Sequence, residues 1–271
     1  MVDGNTGELF YGRKNNVRGE VASLTKIMTC YTVCRLIDEY SIDAKGTHIL
    51  ISKAASQMIG TSAKLNQGDI VSIWDLLHGL MLPSGNDAAF ALAESFGTYI
   101  YMQTESYKSK TKSGQELSSE DIRNSIPYFI KKMNMFAKQL GLLNTVYANP
   151  HGLMENPNIS TASDVSKLAV EAMKLDRFRE IVLKASYECD VEQADGSVRV
   201  ARWENTNKLL SEGWEGVKTG VTKAAGPCFC GFVTIDSSSY IVTVLGSMSM
   251  DFRWVDCRTL SNWVHSMRKK I

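Results

Sequence analysis

The sequence of 271 residues carries no surplus of either charge: 30 Lys and Arg stand against 29 Asp and Glu, a formal net charge of +1. A protein that tracks a phosphate backbone shows a basic surplus, so nucleic acid is excluded as the default partner. Long apolar runs are missing as well. The best candidates, Ile73 to Leu82 and Tyr240 to Leu245, fall short of the roughly 20 residues needed to cross a bilayer, and Asp75 and His78 interrupt the first. No membrane segment is expected. The opening Met1-Val2-Asp3-Gly4-Asn5 has neither a charged start nor an apolar stretch, so no signal peptide is read there. Either the chain acts where it is made or a leader has been removed.

Metal and phosphate signatures are also lacking. The four histidines, His48, His78, His151 and His265, lie far apart, none belongs to an HExxH, and no carboxylate cluster brackets them. No GxGxxG or Walker-type loop occurs, so neither a metal nor a cofactor is expected. Cys30, Cys34, Cys189, Cys228, Cys230 and Cys257 form no CxxC pair and have no histidine at metal spacing. They read as reduced cysteines serving as small buried hydrophobes.

What is present is the composition of a folded globular protein, 44% apolar and 22% charged, long enough for one large domain or two intimate lobes. The opening residues read as a strand, a Gly-rich turn and a second strand over Leu9 to Tyr11. From Ser23 to about Tyr40, apolar residues Leu24, Ile27, Met28, Tyr31, Cys34 and Ile37 recur at three- and four-residue intervals, the stripe of a helix. Further helices are expected near Ile70 to Leu80, Asp87 to Phe96, Pro127 to Leu140, Ala162 to Lys174 and Arg177 to Ala185. The fourth is introduced by Thr161 with Asp164 three residues on. Between Tyr101 and Ser125 the chain turns polar and reads as an exposed insertion. Tyr187 to Val191 and Ser197 to Arg202 flank Asp195-Gly196, a hairpin signal. Strands follow at Gly216 to Gly220, Cys228 to Ile235 and Tyr240 to Gly246, and Cys257 to Met267 closes as a helix. Strands at both ends with helices between predict an α+β fold: a sheet assembled from the two chain ends, flanked by helices, with a helical lobe inserted. The expected division is a single domain over 1–271, with 1–40 and 205–271 as the sheet lobe, 41–204 as the mainly helical lobe and 101–125 as the insertion.

Nucleophilic catalysis is the chemistry left to examine. Ser23-Leu24-Thr25-Lys26 puts a hydroxyl and an amine three residues apart, on one helix face. A lysine serves as a base if burial and a second cation disfavour its charged form. Ser109 with Lys112, in the polar insertion, and Ser266 with Lys269, in the basic tail, repeat this spacing, but neither amine would be desolvated. Only Ser23 and Lys26 open a buried helix. Pro83-Ser84-Gly85-Asn86 occupies a turn between helices and offers a second hydroxyl and an amide. Lys218-Thr219-Gly220 ends a strand, where glycine lets a substrate backbone lie alongside and the lysine adds the second cation. His151 reads as a loop histidine that shapes its corner, since Lys26 fills the base role.

SxxK, SxN and KTG in this order resemble the signature of the penicillin-recognising serine enzymes. The likeness extends to Ala22 to Thr29, Pro83 to Ala89, Asn149-Pro150-His151-Gly152-Leu153, Ser160-Thr161-Ala162 with Asp164, Thr206 to Leu210 and Gly216 to Gly220. These six blocks are similar to the low-molecular-mass D-alanyl-D-alanine carboxypeptidases, peptidase family S11. The resemblance implies a β-lactamase/transpeptidase-like fold and assigns roles. Ser23 would be the acylated nucleophile, Lys26 its base and Ser84 a proton relay. Asn86 would hold the substrate amide, Lys218 with Thr219 would take the terminal carboxylate, and Gly220 would let the substrate backbone lie alongside. The N–H groups of Ser23 and Val221 would form the oxyanion hole. Arg253 matches in position an arginine that assists carboxylate binding, and as a residue it reads equally well as a solvated arginine. The implied partners are a peptidoglycan stem peptide ending in D-Ala-D-Ala and β-lactam inhibitors, and the implied location is extracytoplasmic or at the cell envelope.

Three reactions compete. Class A β-lactamases share the trio but need a glutamate to activate the deacylating water, and Leu140 to Pro150, where it should lie, holds no acidic residue. Slow deacylation, and hence inhibition by penicillin, is expected. The alternatives are a β-lactamase-like or esterase-type hydrolase, or a binding protein without turnover.

Overall fold

A computed structural model of the chain describes residues 1–112, 118, 121–122, 124–153 and 158–268. The central element is helix α1 (Thr25–Glu39), entered through a 3-10 turn at Ala22–Leu24. The expected stripe is buried, but so are Thr25, Lys26, Thr29, Cys30, Thr32, Val33 and Leu36 on the other faces. A helix covered all round is a core helix rather than a surface one. This is what removes the Lys26 side chain from water.

One face of α1 looks toward an antiparallel four-stranded sheet whose strands come from both chain ends. Its order is β1 (Val2–Asp3), β10 (Ser238–Val244), β9 (Gly226–Ile235) and β8 (Trp214–Thr222). The continuous apolar run of β9 follows from burial on both faces. Cys228, Cys230 and Phe232 join the core around α1, while Phe229 and Val233 join a second cluster with Trp214, Tyr240, Val242, Trp254 and Cys257. That second cluster is closed by the last helix, α9 (Phe252–Arg268). The closing helix is thus longer than expected, and the opening hairpin shorter: its second strand shrinks to a single bridge, Leu9 opposite Val2.

The middle of the chain supplies α2 (Lys53–Ser56), α3 (Ile73–Met81), α4 (Asn86–Met102), α5 (Glu105–Lys112), α6 (Ile126–Gln139), α7 (Ala162–Met173) and α8 (Asp176–Leu183). Helix α3 starts later than its apolar pattern suggests because Ser72 Oγ accepts from Asp75 N, 3.0 Å, and caps it there. Thr161 Oγ1 caps α7 through Asp164 N, 3.0 Å, as its spacing predicts. Helix α5 lies in the polar segment expected as an exposed insertion, while 113–117, 119–120 and 123 fall outside the described residues.

A second antiparallel sheet went unforeseen. The predicted hairpin forms as β6 (Ser186–Glu192) and β7 (Val198–Glu204), but β3 (His48–Leu50) and β4 (Ile70–Ser72) extend it in the order β3-β4-β6-β7. Strands of three residues are too short to show a period of two. A further two-stranded pairing joins β2 (Gly19–Glu20) to β5 (Ile159–Ser160). Among the described residues all six cysteines are free thiols, five of them buried. No helix among those residues is long and apolar enough to cross a membrane.

Candidate active site

The 3-10 turn that delivers Ser23 packs against backbone from a distant loop and a distant strand. Ala22 takes a left-handed φ of 47°, and its carbonyl oxygen meets Gly152, where any Cβ would overlap it. Gly220 on β8 is the other contact: a Cβ there would stand 3.0 Å from Ser23 N. Both positions demand glycine because backbone approaches backbone. Strand β8 is the last strand of its sheet and pairs only with β9. Its outer backbone edge therefore runs past the start of α1.

Lys26 sits at the centre. Its Nζ lies 3.0 Å from Ser23 Oγ, 2.6 Å from Asn86 Oδ1 and 2.9 Å from the His151 carbonyl oxygen. Burial, and then the charge of Lys218, holds its pKa well below the ordinary lysine value, while Asp87 pulls the other way. An ammonium in a dry site is costly, so the amine loses its proton more readily than in water.

The turn Pro83–Asn86 links α3 to α4 and is held by a cradle from residues 59–65. Gly85 N donates to Gly79 O, Asn86 N to Thr61 O, Thr61 Oγ1 to Ser84 O and Asn86 Nδ2 to Ile59 O, all within 3.0 Å. The buried Asp87 carboxylate accepts from Ser62 Oγ, Ala63 N and Leu65 N and so ties the cradle to α4. Ser84 itself adopts a φ of 65°, and its buried Oγ has no hydrogen-bond partner among the described residues. A non-glycine residue in that region, with an unsatisfied hydroxyl, is strain of the kind that marks a working group.

The opposite wall is cationic. Lys218 is buried and, among the described residues, its Nζ finds one acceptor, the Thr219 carbonyl at 3.2 Å. Burial first and Arg253 second bring its pKa down to about 7. Arg253, at the start of α9, is 5% exposed, so the solvated reading of this residue does not hold. Its guanidinium lies over the Trp254 ring, 4.4 Å from the centroid, and its Nε lacks a partner among the described residues. Thr219 Oγ1 shares a 2.7 Å hydrogen bond with Thr206 Oγ1. Val221, one residue beyond Gly220, is half exposed at the rim.

Ser23, Lys26 and Asn86 are thus joined by direct contacts, with Gly220 against Ser23 and Lys218 and Arg253 acting on the same cleft by charge. Three contributors carry no sequence signal of their own. The His151 carbonyl, Thr61 and Asp87 act through backbone or as scaffolding; His151 and Asp87 lie inside blocks of the family likeness and Thr61 in none. The His151 ring accepts from Leu153 N through Nδ1, 3.1 Å, and burial takes its pKa down to about 3, so the imidazole is neutral and serves the loop. Among the described residues no three His, Cys, Asp or Glu side chains gather as a metal set.

Comparison with known proteins gives a consistent result. The chain is 35% identical over 269 residues to a D-alanyl-D-alanine carboxypeptidase of Streptomyces sp. (strain K15), covering 97% of this chain and 84% of that protein. It is 30% identical to D-alanyl-D-alanine carboxypeptidase DacF of Bacillus subtilis (strain 168), covering 91% of this chain but 56% of that one. The crystal structure of the Streptomyces K15 DD-transpeptidase superposes with a TM-score of 0.83 at 33% identity, covering 97% of this chain and 94% of that chain. That likeness bears out the antiparallel α+β fold expected from the order of strands and helices and from the family resemblance. The model of the D-alanyl-D-alanine carboxypeptidase family matches residues 1–99 and 119–249, passing over much of the polar segment. By that match and by the Streptomyces relative, the chain belongs to the D-alanyl-D-alanine carboxypeptidase family, peptidase family S11.

Proposed function

We propose that the protein is a serine D-Ala-D-Ala carboxypeptidase that removes the terminal D-alanine of peptidoglycan-type stem peptides through an acyl-enzyme on Ser23. The observation that carries this reading is the threefold coordination of Lys26 Nζ. A neutral amine has two N–H donors and one lone pair. With the Asn86 and His151 oxygens taking the donors, the lone pair is left facing Ser23 Oγ, which is the arrangement a general base requires.

Lys26 takes the hydroxyl proton as Ser23 Oγ attacks the carbonyl carbon of the penultimate D-alanine. The tetrahedral oxyanion is stabilised by the N–H groups of Ser23 and Val221, with the start of α1 adding its dipole. Ser84 Oγ, unsatisfied in the free protein, relays a proton to the departing amine of D-alanine. The terminal carboxylate is taken by Lys218, Thr219 and Arg253, and the substrate backbone runs along the free edge of β8 beside Gly220. The second N–H of Asn86 Nδ2 is the one its side chain can offer to a substrate amide, since Ile59 O holds the first. Water then hydrolyses the acyl-enzyme: Lys26, neutral again once its proton has passed through Ser84 to the departing amine, takes a proton from the attacking water and delivers it to Ser23 Oγ as the ester bond breaks.

β-Lactams resemble the acylating peptide and are expected to trap Ser23. With no acidic residue over Leu140 to Pro150, deacylation is slow. The solved Streptomyces relative is a DD-transpeptidase, which favours a second reading in which an amine intercepts the same acyl-enzyme in place of water.

Release of D-alanine from a D-Ala-D-Ala peptide, lost in Ser23→Ala, tests the reading together with a mass increase on Ser23 after penicillin. Absence of both from folded protein would leave a binding protein without turnover. Adding glycylglycine to the reaction separates hydrolysis from transfer by the product formed.

A further inference from the structure

The His151 carbonyl reaches Lys26 only because the corner Asn149–Gly152 is held against α1. Within the corner, Asn149 Oδ1 accepts from His151 N, 3.2 Å, and Gly152 N, 2.7 Å, and closes the turn. Thr29 Oγ1, one helical turn beyond Thr25, donates to Pro150 O at 2.6 Å. The fastening on the other side is Asn158, 3% exposed, whose side-chain amide is committed to this junction at both ends. Its Oδ1 accepts from Ala148 N, 2.7 Å, and Asn149 N, 3.1 Å. Its Nδ2 donates to Asn149 O, 3.0 Å, to Asn149 Oδ1, 3.2 Å, and to Thr25 Oγ1, 2.9 Å. Thr25 is the residue next to Lys26. One amide therefore bridges the corner that supplies an acceptor and the helical turn that carries the base.

We propose that Asn158 is a positioning residue for Lys26, setting the His151 carbonyl where it takes one N–H of the amine and leaves the lone pair on Ser23. The inference rests on the reading of Lys26 as the base. Asn158 makes no hydrogen bond to Ser23, Lys26 or Ser84 among the described residues, so its influence passes through the corner. If the corner shifts, the amine is free to turn an N–H toward Ser23 Oγ, and that orientation cannot accept the proton.

A double-mutant cycle on acylation by benzylpenicillin, read as the rate of mass gain on Ser23, tests this. Asn158→Ala is expected to slow acylation about ten- to a hundredfold when Lys26 is present, the cost of a small misplacement at the reacting atoms. On Lys26→Ala the same substitution is expected to change the residual rate by less than about twofold, because a residue that acts through Lys26 is silent without it. An equal fold-loss in both backgrounds, or a wild-type rate in Asn158→Ala, overturns the proposal. A Lys26→Ala protein that acylates at the wild-type rate removes instead the reading of Lys26 beneath it. Should near-UV circular dichroism show that Asn158→Ala does not fold, Thr25→Val takes its place in the cycle. It deletes one hydrogen bond of the junction and is expected to cost roughly three- to tenfold with Lys26 present and nothing without it. An unchanged rate, or the same loss in both backgrounds, is again the overturning result.

Discussion

The two walls of the cleft treat their lysines in opposite ways. Lys26 is buried with three polar partners, one of them from each of three different segments, whereas Lys218 is equally buried with a single contact to the carbonyl of its own neighbour. Arg253 beside it is also buried and short of a partner at Nε. Both lysines are pushed toward their neutral forms by desolvation, but the consequences differ. On the α1 side the partners of the Lys26 amine are all in place, so the neutral amine is held in one orientation before substrate arrives. On the β8 side two cations crowd each other, an arrangement that an anion relieves. In the proposed mechanism one wall transfers the proton and the other takes the carboxylate.

This contrast predicts that damage to the first wall appears in the rate of acylation and damage to the second in substrate affinity. The largest effect is expected for Lys26→Ala, a fall in acylation rate of roughly 10³ to 10⁴ with little change in KM, checked by single-turnover kinetics with a D-Ala-D-Ala peptide. A comparable rise in KM would place Lys26 on the binding side and erase the distinction. Lys218→Met is expected to reduce kcat/KM about a hundredfold, mainly through KM, since a buried charge contact to the substrate is lost. The same substitution relieves the crowded cations. It is expected to raise unfolding stability by roughly 1–3 kcal/mol at pH 7, measured by urea denaturation.

The pH dependence follows from the same wall. Lys218 titrates near 7 in the free protein, against an ordinary value of 10.5, so carboxylate binding weakens as pH rises through 7. KM for the peptide is expected to climb by up to about tenfold per pH unit above that point, and Lys218→Arg, which stays charged, is expected to flatten the climb. Stability moves the other way. With its folded pKa depressed, Lys218 binds fewer protons in the folded than in the unfolded state, so its penalty is greatest at and below pH 7 and disappears as pH approaches 10.5. The stability gap between Lys218→Met and wild type is therefore expected to narrow between pH 7 and 10. The smallest effect is expected for Arg253→Leu, about three- to tenfold in KM, because Lys218 remains as the primary cation. A measured pKa of Lys218 that rises in this variant, observed by NMR of the ammonium, confirms that the two cations repel. One that stays fixed breaks the picture of a crowded wall.

Much of this site is legible before any coordinates. Ser23 and Lys26 are three residues apart on a helix, a local relation that spacing alone states. Ser84 with Asn86 and Lys218 with Gly220 are equally local and gain force from their order along the chain. The antiparallel sheet from both chain ends is also readable, since β8, β9 and β10 are long enough to show their character. The sheet formed by β3, β4, β6 and β7 is not, because β3 and β4 are three residues long and their pairing is set by tertiary contact. Nor does the apolar period of α1 reveal that the helix is covered on every face, since Thr25, Thr29 and Thr32 read as polar positions and are buried by what surrounds them.

The sequence by itself determined which groups this protein owns: a hydroxyl and an amine on one helical face, a second hydroxyl in a tight turn, a lysine at a strand end, and almost no net charge to draw in a polyanion. It also determined the order of those groups, and so the family. Only the tertiary structure decided that the near-zero total conceals two lysines and an arginine gathered at one cleft, that burial holds the Lys26 pKa well below its ordinary value, and that its amine meets a backbone carbonyl from a corner 125 residues away. The physical reason is that carbonyl oxygens are the same at every position of every chain. Burial likewise belongs to a packed neighbourhood and to no residue alone.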